Sequence, residues 1–293
     1  MQTSFSVSKL FTHPHINEIF LHIKNITTQA VVDINALEFE SAITSLLSAK
    51  NHISEARYKH EDKEEDYLNA LWVLDRFIEL FEDYCQLWLA ITSGRFSQSW
   101  VNLQDCLSNL RNIKRFSKIT IEQLEEQLLQ LEQAYPYKIF ASIGAIVDHF
   151  ECSVCGKNID SFDCPHMQGQ LYGGEMAVAI AKEVTRLDHV ALVKNPRDKR
   201  CVITLDDSDP GFSIINYIGE LIDNKTCNII GFSKLIFSKR LIPNPNYQHK
   251  DRNEICFCGS GIKFKKCCIN TRIVSKDHVD VMGTTRTANQ LLS

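Results

Sequence analysis

Between Tyr67 and Leu131 the apolar residues of this chain recur every three or four positions. Leu71, Leu74, Ile78, Phe81, Cys85 and Trp88 draw one stripe, Trp100, Leu103, Leu107 and Leu110 a second, and Ile121, Leu124, Leu128 and Leu131 a third. That spacing places each set on one side of an α-helix, so each stripe predicts an amphipathic helix. Thr120, with Gln123 three residues on, predicts a capping box for the third helix, and Pro136 stops it. Upstream, Leu37, Ile43, Leu46, Leu47 and Ile53 predict a long helix opening at Asp33, and Ile16, Ile19, Phe20 and Ile23 a short first one. Four or five such helices make a bundle over residues 1–148. The mixed charge run Glu55 to Asp66 reads as a solvated helix end or loop.

After about residue 149 the pattern changes. DHVALVKNP, RCVITLDDSD and CNIIGFSKLIF read as strands separated by turns. GEMAVAIAKEV is ambiguous: Met176, Val178 and Ile180 alternate as in a strand, while its Ala, Glu and Lys favour a helix. Ile214, Ile215, Ile218, Leu221 and Ile222 predict one helix within this region. LIPNPNYQHK carries two prolines and two asparagines and reads as an extended linker. The expected fold class is therefore α+β, with a helical bundle (1–148), a zinc-ribbon-like mixed region (149–242), a linker (243–251), a small cysteine knob (252–272) and a tail (273–293).

Composition narrows the setting. The 293 residues are 44% hydrophobic, enough for a proper core, and the net charge of -4 is modest. No apolar run approaches the ~20 residues of a membrane span, and the start lacks the features of a secretory signal, so a bacterial-type cytoplasmic protein is expected. Eleven cysteines in a reducing compartment point away from disulfides and towards metal. Seven of them fall into two short groups. The others, Cys85, Cys106, Cys201 and Cys227, have apolar neighbours and read as small buried hydrophobes.

The C-terminal group is RNEICFCGSGIKFKKCC, Arg252 to Cys268. Cys256, Cys258, Cys267 and Cys268 form two close pairs, and four thiolates are what tetrahedral zinc takes in a closed structural site. A segment this short buries too little to fold alone, so the metal must supply the folding energy. Gly259, Ser260 and Gly261 let the backbone wrap the metal, and Lys263, Lys265 and Lys266 offset the roughly -2 charge of a four-thiolate zinc centre. This stretch resembles the SEC-C zinc-binding motif, with Phe257 where a proline is usual and Ile262 where a lysine is usual. The resemblance implies those four cysteines as ligands and a small docking knob for proteins, ribosomes or anionic surfaces. Lys234 to Arg272 holds nine Lys or Arg against two Asp or Glu. Charge of that sign can meet RNA or an acidic protein face, with Lys263, Lys265, Lys266 and Phe257 as the candidate partner-binding residues.

The earlier group is ECSVCGKNIDSFDCPHMQGQ. Cys152-x-x-Cys155-Gly is a zinc-knuckle half, and Cys164 and His166 complete a second ligand set, with His149 a minor rival for His166. A redox CxxC is the weaker reading, because no thioredoxin-like βαβ pattern surrounds it. The chain carries no P-loop, no Gly-x-Gly-x-x-Gly, no Gly-x-Ser-x-Gly and no His-Glu-x-x-His. Arg272 and His278 have the spacing of a small ribonuclease pair, but they lie in the tail beyond the knob and chance is the better reading; Asp206, Asp207 and Asp209 crowd the end of an expected strand, and a solvated turn accounts for them. No catalytic residue and no organic cofactor is assigned. Two zinc ions are expected, in a protein that acts as an adaptor or accessory factor docking through its C-terminal knob. The rival is a nucleic-acid-acting or regulatory enzyme, in stress or phage defence, with no recognisable catalytic motif.

Overall fold

The computed structural model describes residues 14–59, 64–119, 121–283 and 287–292. Among them the chain forms seven α-helices and three small antiparallel sheets, an α+β fold. Of these, the described residues up to Ser233, joined by Gly283 and 287–292, make one compact unit, and Lys234–Met282 make a second.

The first unit is built on helices α1 (Pro14–Asn35), α2 (Phe39–Lys59), α3 (Glu65–Thr92), α4 (Phe96–Phe116) and α5 (Glu122–Ala134). The three central stripes are buried: Leu71, Leu74, Ile78, Phe81, Cys85, Trp88, Trp100, Leu103, Leu110, Leu124, Leu128 and Leu131 are all at 2% exposure or less. Burying side chains of this size is worth about 1.5–3 kcal/mol each, which is why the α3–α4 contact forms the centre of the bundle. A buried polar link crosses it. Tyr84 donates to Gln127 Oε1 at 2.6 Å, and Gln127 Nε2 donates to the Ile229 carbonyl at 2.7 Å, tying α3, α5 and the segment before the last sheet together.

The two upstream helices differ from the sequence expectation. The first is long, and Asp33 belongs to its last turns instead of opening the second. The Asp33 carboxylate accepts bonds from Ser41 and Gln29, and Leu37 takes a positive φ of 65° at the sharp turn between the helices. Thr120 lies outside the described residues.

The helical part ends at Ala134, short of residue 148. Strand β1 (Phe140–Cys152) begins there and pairs antiparallel with β4 (Ala179–Val193) in a two-stranded ribbon. Between them the short strands β2 (Leu171–Tyr172) and β3 (Glu175–Met176) form a hairpin. GEMAVAIAKEV is thus strand. Two register shifts, between Gly144 and Ala145 and between Ile146 and Val147, put extra residues on β4 and bend the ribbon. The ribbon is fixed to the bundle at its first residues, where Phe140 stacks on Trp100 with ring centroids 6.3 Å apart. It is fixed again through the β2–β3 hairpin, where the Gly174 amide donates to Asn69 Oδ1 on α3 at 2.8 Å.

RCVITLDDSD does not form a strand. Its carbonyls and carboxylates are taken by the bundle: Ser97 Oγ donates to the Leu205 carbonyl and the Ser97 amide to Asp207, while the Cys201 carbonyl accepts from Ala141 of β1. Helix α6 (Ser213–Asp223) follows where the isoleucine spacing places it, with Ile215, Ile218 and Ile222 buried.

In the second unit, β5 (Phe232–Pro243) pairs with β6 (Ile273–Gly283), and the cysteine knob is the connection between them. The stretch read as a linker is part of this construction. The Asn244 amide donates to the Arg272 carbonyl at 2.8 Å, closing the ribbon, and Tyr247 packs against Phe257 and Phe264. The stretch read as a tail is largely β6, followed by the short helix α7 (Ala288–Leu291) of the first unit. No helix among the described residues is long and apolar enough to cross a membrane.

Candidate metal centres

The first centre grows out of the end of β1. Cys152 is the last residue of that strand, and the chain doubles back at once: its amide donates to the Lys157 carbonyl at 2.8 Å and the Ile159 amide to the Phe150 carbonyl at 2.9 Å. Gly156, at φ 70°, makes that reversal in a region where a side chain would be strained. The amides of Val154 and Cys155 point at the Cys152 sulfur, the arrangement by which a zinc knuckle steadies a thiolate. A second turn, closed by the Cys164 amide on the Ser161 carbonyl, brings Cys164 and His166 to the same point.

The four ligand atoms lie within 4.8 Å of one another. Cys152 Sγ is 3.6 Å from His166 Nδ1, Cys155 Sγ is 3.7 Å from Cys164 Sγ, and Cys164 Sγ is 4.0 Å from His166 Nδ1. With zinc–sulfur bonds of ~2.3 Å, the edge of a tetrahedron is ~3.8 Å, whereas a disulfide holds its sulfurs at ~2.05 Å. The separations are those of a shared ion, and all eleven cysteines are free thiols. The His166 ring meets the Tyr172 ring edge-on at 4.5 Å, and the Tyr172 hydroxyl accepts from the Met167 amide at 2.9 Å, so hairpin β2–β3 sets the ligand's orientation. His149 faces elsewhere, with Asp148 at 2.8 Å raising its pKa.

The second centre repeats the construction with different ligands. The Cys256 amide donates to the Ile262 carbonyl at 2.8 Å, and the Phe264 amide to the Glu254 carbonyl at 2.8 Å, while Gly259 (φ 77°) turns the chain between them. Amides of Cys258 and Cys268 point at the Cys256 sulfur. Cys258 Sγ lies 3.4 Å from Cys267 Sγ, Cys267 Sγ lies 3.6 Å from Cys268 Sγ, and all four sulfurs fall within 4.8 Å of one another. The Ser260 hydroxyl, 3.2 Å from Cys258 Sγ, holds that thiol's pKa down to about 6, while Cys256 beside Cys268 pushes the Cys268 thiol up to about 12, so the four sulfurs share their protons unequally before a cation displaces them. Both donor sets suit zinc: soft sulfur with one imidazole or none, closed on all four sides, as structural sites are.

Around the second centre, Phe264 is fully buried beneath Tyr247, His249 and Phe257, with centroid separations of 6.0, 6.2 and 6.1 Å. Arg272 lies over the Tyr247 ring at 5.6 Å. Phe257 is half-buried, so part of its ring serves the knob's own small core, whereas Lys263, Lys265 and Lys266 are exposed.

Other candidates resolve into structure. Asp206 closes a turn on Ser208, Asp207 accepts from Ser97, and Asp209 caps the 3-10 turn through Gly211. His278 pairs with Asp280, which also accepts from Arg240, so Arg272 and His278 each have a packing role. Cys85 and Cys106 are buried as expected and Cys227 is half-buried. Cys201 is exposed instead, on an irregular segment whose Cys201 carbonyl accepts from the Ala141 amide at 2.7 Å.

Residues 252–270 match the family profile of the SEC-C motif, a zinc-binding motif. The match covers the whole second centre and leaves the bundle and the first centre unassigned. No curated protein and no solved structure matches the chain.

Proposed function

We propose that this protein is a two-zinc adaptor in which the C-terminal unit is a docking module and the bundle with the first centre is the body that carries its cargo or second partner. The observation that carries this reading is the exposure of Lys263, Lys265 and Lys266 on a knob whose interior is fully committed to the metal loop and the Phe264 cluster. Cations that serve only to neutralise a zinc centre need not stand in water. Three on one short segment, within a stretch carrying nine basic against two acidic residues, suit an anionic partner such as a ribosomal surface, an RNA or an acidic protein face. Zinc in this account is a staple that fixes which way those side chains face, with the four cysteines Cys256, Cys258, Cys267 and Cys268 as its ligands, and Cys152, Cys155, Cys164 and His166 as those of the other ion.

The test uses the full chain. Co-sedimentation with ribosomes and retention on immobilised RNA and on an acidic peptide are compared for the wild type and a Lys263→Glu/Lys265→Glu/Lys266→Glu variant. Binding should fall at least tenfold in the variant and steepen with salt in the wild type, at unchanged helical circular dichroism. Wild-type binding that survives the triple reversal contradicts a docking role for the knob.

A further inference from the structure

The ribbon β1–β4 carries an apolar face that is exposed among the described residues. On β1, every second residue from Ala141 to Val147 lies on that face, and the β4 residues opposite them are Leu192, Val190, Leu187 and Val184. The other face is mixed, with Ser142, Gly144 and Ile146 on β1 opposite Ala191, His189 and Arg186 on β4, and Ile146 is its one large exposed apolar side chain over that span. On the apolar face Ile143 is 66% exposed, Val184 56%, Leu187 71%, Val190 68% and Leu192 66%. Together they leave roughly 500–600 Å² of hydrocarbon in water, at the top of what a monomer exposes in one patch. A two-stranded ribbon is also marginal by itself, and becomes stable when a further layer packs on its apolar side.

The geometry points to a second copy of this chain as that layer, its β1–β4 ribbon packed face to face and antiparallel about a two-fold axis near Leu187. Two observations select this occupant. The first is area: an isologous interface doubles the patch, and with its polar rim each copy approaches the ~800 Å² per partner of a standard interface. The second is charge. The chain leaving β4 carries Lys194 and Arg197, besides Lys199 and Arg200, which are already paired with Glu132 and with Asp105 and Asp198. The zinc end of the ribbon, from Asp148 to Glu175, carries five carboxylates against Lys157. Antiparallel stacking lays the basic end of one ribbon on the acidic end of the other, whereas parallel stacking sets like on like. The residues paired across this face are apolar up to His149 and Lys182 at the zinc end, and Lys182 there is paired with Glu151 at 2.9 Å.

Sedimentation velocity of the zinc-loaded full chain, from about 1 to 100 μM, tests this. A dimer is expected in that range. Leu187→Asp should raise the dissociation constant about a hundredfold, with zinc content and circular dichroism unchanged because the side chain is already in water in the single copy. Arg197→Glu should weaken the dimer about tenfold, and combining it with Asp160→Lys and Asp163→Lys should restore much of that loss. A wild type that stays monomeric at about 100 μM overturns the inference, and so does a dimer indifferent to Leu187→Asp. Monomer that binds lipid vesicles through this face would show a different occupant and equally overturn it.

Discussion

The two metal centres of this chain are the same device put to different ends. In each, a two-stranded antiparallel ribbon is closed by a four-ligand cluster, and a glycine at positive φ turns the chain beside a cysteine. The first centre is a Cys₃His set in acidic surroundings, and its hairpin is bonded to α3 through Gly174 and Asn69. The second is a Cys₄ set in basic surroundings, within a compact unit of its own. A zinc staple can thus either bolt a ribbon to a helical body or hold a small unit together by itself. In the first case the metal shares its work with packing. In the second nearly all the folding energy of the knob must come from the metal, since Phe264 and Cys256 are almost its whole buried interior.

That contrast can be broken most forcefully by removing one ligand from each centre. Cys267→Ser should release one equivalent of zinc and abolish amide protection across residues 252–270, while the thermal transition of the helices moves by about 1 °C or less. Cys152→Ser should release the other equivalent and lower the helical transition by about 5 °C or more, because Cys152 is buried at the junction of β1 with the hairpin that grips α3. Equal effects of the two substitutions on the helical transition would erase the distinction. Differential scanning calorimetry paired with hydrogen exchange reads both.

A smaller effect separates the bolt from the staple. Gly174 sits at φ 83°, and a Cβ there would lie 3.1 Å from the Leu68 carbonyl oxygen, so Gly174→Ala should push the hairpin off α3 at a cost of about 2 kcal/mol. Gly259→Ala meets no neighbour and should cost only the backbone term of about 1 kcal/mol, read as a several-fold loss of zinc affinity at the second centre. Chemical denaturation of the first variant and competitive zinc titration of the second make the comparison.

A pH-dependent change of comparable size lies in the bundle, away from both metals. Burial of Asp83, with the Asp105 carboxylate next in effect, pushes its pKa up to about 7 from an ordinary 3.8, while Asn109 donates to it at 2.9 Å. An acid raised in the fold binds its proton more tightly there, so its contribution is complete below pH ~4 and is lost as pH rises through about 7. Asp83→Asn should therefore stabilise the bundle by about 1–2 kcal/mol at pH 8, with the gain fading as pH falls towards 4. Thermal melts across that range, at constant zinc, would show it.

How much of this was legible beforehand follows physical lines. Helices α3, α4 and α5 could be read because each carries its own apolar stripe, a local signal that needs no partner to interpret. Both ligand sets were equally plain, since each lies within twenty residues and thiolate chemistry permits few arrangements. What escaped the sequence was pairing at a distance. Phe140 to Val147 reads as a continuation of the apolar helices until Val193 to Val184 is known to lie opposite. Ile273 to Gly283 reads as a tail until β5 is placed beside it, which turns the knob from a pendant on a linker into the connection between two strands. RCVITLDDSD has the composition of a strand, but hydrogen bonds from Ser97 and Trp100 hold its segment to the bundle in an irregular path. The turn at Leu37 misled in the opposite sense, since Asp33 is as good a helix opener as it is a carboxylate inside a helix end.

The effects at both centres depend on one condition, eight side chains holding two zinc ions. Native mass spectrometry of protein purified without added metal or chelator, backed by elemental analysis, tests it most directly. Two zinc ions per chain are expected, falling to one in either single-cysteine variant. Zero or one zinc in the wild type, or paired cysteines found as disulfides, would contradict it.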